Sequence, residues 1–350
     1  MQKFTTYKPT FKLLPFVKRT LDVFELPTSW SELDSEQFVR IAAVLFDNRA
    51  ENKIKELRLL CLQAITGYER SNQTFNEDMA EQINCNLYIL SQCIRFPFKM
   101  VFKNPDLISN LSDELQKAVK DYFLFEIYEP ELQAELKKYG GLLEYGIELN
   151  PNLTSNLLPS ITIDGITYNG PRFGINEDGV LDTDLLAGEW IDANDYMNFM
   201  AQSRKEKYLA NVAACLYRQD RKNYSTSDAQ ERAEIFAKAR PEELKAVWLL
   251  VKSMQEYFFN DLNFNVLYSK REKGLQSNKI EVGSSNILYQ LSKDGYGSLS
   301  EVANMLVTDF LSIQLKNISD AISALRSMGK NPSDIAKAYK MDINTVLKFI

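Results

Sequence analysis

The densest run of side chains that could do chemistry is acidic: Asp178, Asp182, Asp184, Glu189 and Asp192. Carboxylates so grouped could form a general acid–base pair or hold a hard cation. Asn176-Glu-Asp-Gly179 has the composition of a calcium loop, but the register fails. With Gly179 at that loop's obligatory glycine, Gly174 falls at the first ligand position and Leu185 at the closing bidentate position, and neither has a side-chain oxygen. Solvated turn residues and helix-start acids account for the run. Histidine is absent from the sequence. That removes the commonest general base, the commonest transition-metal ligand and every Ser-His or Cys-His nucleophile. Cys61, Cys85, Cys93 and Cys215 form no C-x-x-C pair, so a zinc site would need all four from distant positions; buried free thiols in a reducing compartment fit better. Gly295-Tyr-Gly297 lacks the third glycine and the strand–helix setting of a dinucleotide loop, and no Gly-Lys-Ser/Thr element occurs. No catalytic residue, cofactor or metal is assigned, and the expectation is a protein that is not an enzyme.

Two segments have the composition to touch nucleic acid. Arg204-Lys-Glu-Lys-Tyr208 through Tyr217-Arg-Gln-Asp-Arg-Lys-Asn-Tyr224 interleaves cations and aromatics, as a phosphate-gripping, base-stacking surface would. The plainer reading is an amphipathic helix with Leu209, Val212, Ala213 and Leu216 inward and its basic residues wet. At the C-terminus, Asp334-Ile-Ala-Lys-Ala-Tyr-Lys-Met-Asp-Ile-Asn-Thr-Val-Leu-Lys-Phe-Ile350 resembles a helix-turn-helix core. Ala336 would sit at the tight packing position, Ile343 and Val346 on the inner face of the second helix, and Asn344, Thr345 and Lys348 toward a groove. Its turn carries Lys340 or Met341 where glycine is usual. A DNA-binding or replication-associated protein using this segment is the alternative function.

The elements that must position these residues are mostly helical. The chain has 350 residues, 45% of them hydrophobic and 11% aromatic, enough for two or three packed units. A net charge of −6 gives no general attraction to phosphate or anionic lipid. No run approaches the roughly 18 apolar residues of a membrane span, and the N-terminus has no apolar signal core, so a cytosolic setting without membrane contact is expected. Residues 1–26, with Pro9 and Pro15, read as a strand or extended arm. A helical pattern covers 34–64, with Asp34 or Ser35 as cap, Phe38, Ile41, Ala42 and Leu45 at core spacing, and Gly67 as terminator. Further helices are expected at 76–94 and 112–138, then a loop over 139–160. Asp164-Gly165 predicts a type I′ hairpin across 161–168. Helices follow from about Leu185 through Met200, over 203–217, 226–239 and 241–259, the last with Pro241 in its first turn. Residues 260–297 carry little helix signal. Ser298-Leu-Ser-Glu301 is a capping box opening one long helix to Met328, stopped by Gly329. The expected fold is mainly α and multi-helical, with a small hairpin and an N-terminal arm. The domains expected are 1–150, 151–297 and 298–350. Extended segment, turn, tryptophan (Trp30, Trp190) and helix occur in both halves, as edited copies of one unit or by coincidence.

Three stretches resemble proteins encoded in the tail-gene clusters of tailed bacteriophages: Leu26-Pro-Thr-Ser-Trp30 with Asp34-Ser-Glu-Gln-Phe38; Tyr168-Asn-Gly-Pro171 with Gly188-Glu-Trp190; and Gly297-Ser-Leu-Ser-Glu-Val-Ala303. Such proteins include tail-assembly chaperones, which hold the tape-measure protein while the tail tube polymerises, and minor virion components. The chaperones are usually shorter than this chain, which leaves a virion role open. The resemblance implies a binding protein acting in the host cytoplasm during assembly, or in the virion, with other phage structural proteins as partners and no catalytic residues. Apolar grooves between helices would mask segments of a partner helix, with Trp30, Phe38, Trp190 and Tyr196 as the contact residues.

Overall fold

The computed structural model describes residues 2–7, 21–49, 54–67, 86–103, 105–120, 122–138, 141, 144–176, 178–261, 264, 267, 285–339, 341 and 343–349. The chain is mainly α-helical with small two-stranded sheets, and it divides into two compact units, Met1–Asn152 and Leu153–Ile350.

In the first unit the N-terminal segment is an antiparallel pair, Gln2–Tyr7 with Leu21–Leu26. Asp34 is the cap of helix Ser35–Asp47: its carboxylate accepts the Gln37 N–H at 2.8 Å while the Gln37 side chain returns to the Asp34 N–H at 3.1 Å. Phe38, Ile41, Ala42 and Leu45 are buried as their spacing predicts. The single pattern over 34–64 is two helices, Ser35–Asp47 and Ile54–Thr66, the second ending at Gly67 in the left-handed region. Of the helix expected at 76–94, residues 86–91 are helical and 76–85 lie outside the described residues. The loop expected at 139–160 contains a strand, Tyr145–Leu149, paired antiparallel with Phe98–Phe102. Its partner lies far upstream, so local pattern gave no notice of it. This pair brackets helices Asp113–Lys120 and Tyr122–Lys138, where Leu111, Val119, Leu132 and Leu136 form a core.

The second unit opens with the expected hairpin, Ser160–Ile163 with Ile166–Asn169, turned by Asp164 and Gly165 at φ 51° and 80°. A second hairpin, Phe173–Ile175 with Leu181–Thr183, occupies the acidic turn. The Asn176 side chain accepts the Asp178 and Val180 N–H groups within it, an Asx turn. Helices Ala187–Ser203, Tyr208–Leu216, Thr226–Phe236 and Pro241–Glu256 follow, the last running into a short π-helix at Tyr257–Asp261. The weak-signal region holds helix Ser285–Lys293, which buries Leu288 and Leu291 one turn apart. The long helix expected from Ser298 is broken: Leu299–Ala303 ends and Val307–Ser327 begins after it. The reason is tertiary. The Met305 carbonyl accepts the Ala187 N–H and the Val307 N–H donates to the Leu185 carbonyl, both at 2.9 Å, so this backbone serves a bridge instead of a helix. The C-terminal helices Pro332–Tyr339 and Ile343–Leu347 pack on the end of Val307–Ser327 through Ile322, Ile335, Ala336 and Val346.

Candidate functional site

Of the acids and bases singled out in the sequence, Asp184, Glu189, Asp192, Arg218 and Arg221 meet at the start of helix Ala187–Ser203, whereas Asp178 and Asp182 stay on the hairpin. Glu189, the third helical residue, accepts the Leu186 N–H at 2.9 Å and so caps its own helix. It is thus a helix-start acid as read, but its side chain is 0% exposed, which the sequence did not indicate. The Arg218 guanidinium lies 2.7 Å from Oε1, and the Arg221 guanidinium donates to Oε2 at 3.0 Å. Arg221 also pairs with Asp184 at 3.3 Å, and Asp184 pairs with Arg172 at 3.5 Å. Asp192 accepts the Tyr224 hydroxyl at 2.6 Å and the Thr226 hydroxyl at 2.7 Å.

The segment after helix Tyr208–Leu216 delivers these cations. It leaves the helix at Tyr217 and bridges Asn169 to Arg218 through two backbone hydrogen bonds of 2.7 and 3.0 Å. Arg221 donates to the Leu216 carbonyl at 2.7 Å and Arg232 to that of Ala214 at 3.0 Å, supplying donors for carbonyls at the helix end. Arg218 donates to the Asn223 carbonyl. Tyr217 is buried, its hydroxyl on the Leu158 carbonyl at 2.7 Å. Arg218 and Arg221 are therefore turned inward, against the expectation that the basic residues stay wet. Arg204, Lys205, Lys207 and Lys222 are exposed, and Leu209, Val212, Ala213 and Leu216 are buried, as expected.

The conspicuous sequence words become spatial requirements. A Cβ on Gly188 would stand 2.7 Å from the Tyr224 ring and 3.1 Å from the Ala303 carbonyl; one on Gly170 would stand 2.6 Å from the Tyr217 ring. The Asn304 amide holds the Tyr224 backbone at both ends, accepting its N–H at 2.6 Å and donating to its carbonyl at 3.2 Å. Burial pushes the Glu189 carboxyl up while Arg221 and Arg218 pull it down, and burial draws Arg218 down while Glu189 raises it. Desolvation also raises the Tyr217 and Tyr224 hydroxyls and the Cys215 thiol. A general acid or base needs a lone pair or proton facing a substrate. Glu189 instead faces two guanidiniums and its own helix start, which makes the network a brace between segments. Among the described residues no group of three or more Cys, Asp or Glu is placed to hold a metal ion, and no helix is long and apolar enough to cross a membrane.

Compared with known proteins, the chain matches no family model, no curated protein and no solved structure.

Of the expected contact residues, three lie in the interior. Trp30 sits in a 3-10 turn, Trp30–Glu32, donates from Nε1 to the Asn150 carbonyl at 2.9 Å and meets the Phe96 ring edge-on at 4.9 Å. Phe38 is buried beside it. Trp190 is 1% exposed and packs on Phe258 at 4.9 Å. A partner meeting the folded units would not touch these three, because core packing already uses their rings. The two tryptophans are also not equivalent: Trp30 precedes its capped helix, whereas Trp190 lies within the first turns of its own. Tyr196 is half-buried and belongs to an aromatic cluster at the surface. Its ring stacks with Tyr208 at 6.3 Å and 27°, and Phe199 lies 6.3 Å from Tyr196 and 6.1 Å from Tyr208. Phe199 is 48% exposed, and the sequence reading missed it. Helical spacing from Tyr196 together with the Arg204-Lys-Glu-Lys-Tyr208 run was the available signal. At the C-terminus Asn344 and Lys348 are exposed, and Thr345 lies on the same helix.

Proposed function

We propose that the chain is a non-enzymatic, protein-binding component of tailed-phage tail or virion assembly, acting in the host cytoplasm or within the particle. One observation carries the binding half of this reading: Asp184, Glu189, Asp192, Arg218 and Arg221 are spent on internal bracing, while large apolar groups stay at the surface. Phe199 is one, and Ile343 and Leu347, 43% and 52% exposed on the last helix, are others. The assembly half rests on the resemblance to tail-cluster proteins in the stretches around Trp30, Trp190 and Ser298. In this fold those stretches are caps, close approaches and core, so the likeness is one of scaffold. Tape-measure or other tail proteins are the partners in this reading. The test is co-expression of the tagged full chain with the products of its flanking genes. A co-purifying complex supports the reading, and its absence with all of them counts against it.

A second reading, DNA binding by the C-terminal helices, is favoured by their three-helix packing around Ile322, Ile335, Ala336 and Val346, with Asn344 and Lys348 outward. Arg326, Lys330, Lys337, Lys340 and Lys348 against Asp334 and Asp342 give the right local sign. It ranks second because the helix that would enter a groove exposes Ile343 and Leu347, which suit protein better than phosphate. A salt-sensitive mobility shift of duplex DNA, weakened by Lys348→Glu, would support it; no shift at low salt removes it.

A further inference from the structure

Between Phe199 and Tyr208 of the Tyr196–Phe199–Tyr208 cluster the chain carries Arg204, Lys205 and Lys207, all exposed. Arg204 stops its helix in the left-handed conformation, φ 56°, its N–H on the Met200 carbonyl at 2.8 Å. That reversal turns the chain between Phe199 and Tyr208. Lys207 lies over the Tyr208 ring at 5.3 Å. Elsewhere on this unit Arg172, Lys222, Lys238 and Arg240 each have a carboxylate partner. Among the described residues Arg204, Lys205 and Lys207 have none. With Glu206 between them, Arg204, Lys205 and Lys207 give this small apolar surface a net positive run on a chain of net charge −6. The placement of the basic residues decides between occupants. A nucleic-acid strand needs cations strung along a groove, but Arg218 and Arg221, the rest of the basic stretch, are turned inward onto Glu189. What remains suits one apolar anchor flanked by carboxylates.

We infer that this surface docks an acidic segment of a partner protein, an aromatic or aliphatic side chain of that segment resting on Phe199 and Tyr208 while its carboxylates meet Arg204, Lys205 and Lys207. This deepens the protein-binding reading, on which it rests, by naming the surface and the chemistry of what binds there. The test uses the full chain and fluorescence polarisation with three labelled probes. These are an acidic amphipathic peptide carrying Leu and Phe anchors one helical turn apart, the same peptide with Gln and Asn for its acids, and an oligothymidylate of equal length. The acidic peptide should bind in a salt-sensitive way, the amide peptide at least roughly tenfold more weakly, and the oligothymidylate not at all. Phe199→Ser and the pair Lys205→Glu/Lys207→Glu should each weaken the acidic peptide by roughly tenfold or more, while Lys238→Glu leaves it unchanged. Circular dichroism confirms that each variant folds; the exposure of all three positions makes them tolerant sites. Absence of peptide binding up to about 1 mM overturns the proposal, as does binding indifferent to these variants. Oligothymidylate binding lost in the same variants would reassign the surface to single-stranded nucleic acid. Peptide binding without any complex with flanking-gene products would fail the assembly reading alone. Such a complex persisting in the Phe199 and lysine variants would fail this surface alone.

Discussion

The Glu189 carboxylate and the Arg218 guanidinium stand 2.7 Å apart with almost none of either side chain exposed to solvent. Isolated, either charge would be expensive there; together with Arg221 and the Leu186 N–H they form a brace joining a helix start to the segment that follows the next helix. Removing one partner strands the other. Glu189→Gln should lower unfolding free energy by about 3 kcal/mol in urea titration. Glu189→Leu combined with Arg218→Met should cost less than the sum of the single changes, because the apolar pair leaves no buried charge between them. Additive costs would mean that the two side chains do not act as a pair.

Gly188→Ala sets two effects against each other. Alanine gains up to about 1 kcal/mol of helix propensity, but its methyl would meet the Tyr224 ring at 2.7 Å and the Ala303 carbonyl at 3.1 Å. Asp192 holds the ring by its hydroxyl and Asn304 holds the Tyr224 backbone, so the ring cannot retreat cheaply. Overpacking should prevail, with a net loss of about 1–2 kcal/mol. Gly146→Ala has open space around its Cβ and should be neutral or slightly stabilising. Thermal denaturation of the two variants separates the cases.

The cysteines should differ in reactivity. Burial pushes the Cys61 thiol up to about 12 and the Cys215 thiol higher still, while Cys93 is half-buried and raised less, its rise opposed by Arg95. Iodoacetamide at pH 8 with peptide mapping should therefore label Cys93 in the native protein, and Cys61 and Cys215 only after denaturation. Rapid native labelling of Cys215 would contradict its burial.

The Ser298 capping box predicts a pH dependence with a definite sign. Its backbone and side-chain hydrogen bonds with Ser298 lower the Glu301 pKa, the Ser298 N–H donating at 2.7 Å. A lowered folded value means that the contribution is complete above the ordinary carboxylate range, about 4.3, and is lost as pH falls through the folded value. Wild type should melt above Glu301→Ala at pH 7, and the difference should close in acid. A gap that widened in acid would have the wrong sign.

What could be read from the sequence followed from how local its cause was. Asp164-Gly165, the Asp34 and Ser298 caps and Gly67 act within a few residues of themselves, and each appears where expected. The pairing of Phe98–Phe102 with Tyr145–Leu149 and the break at Asn304–Leu306 depend on partners far along the chain, which local periodicity does not encode. The same limit applied at the site. Glu189 reads correctly as a helix-start acid, but its burial is decided by Arg218 and Arg221. Trp30, Phe38 and Trp190 are apolar at helical or turn positions, a pattern shared by core and interface residues. Tertiary packing made these three core and left Phe199, one helical turn from Tyr196, at the surface.

The most direct measurement of the central claim is size-exclusion chromatography with light scattering on the full chain co-expressed with each product of its flanking genes. The account predicts that at least one pairing elutes as a stable species whose mass is a sum of both chains. Elution of the chain without any of those products in every pairing would contradict it.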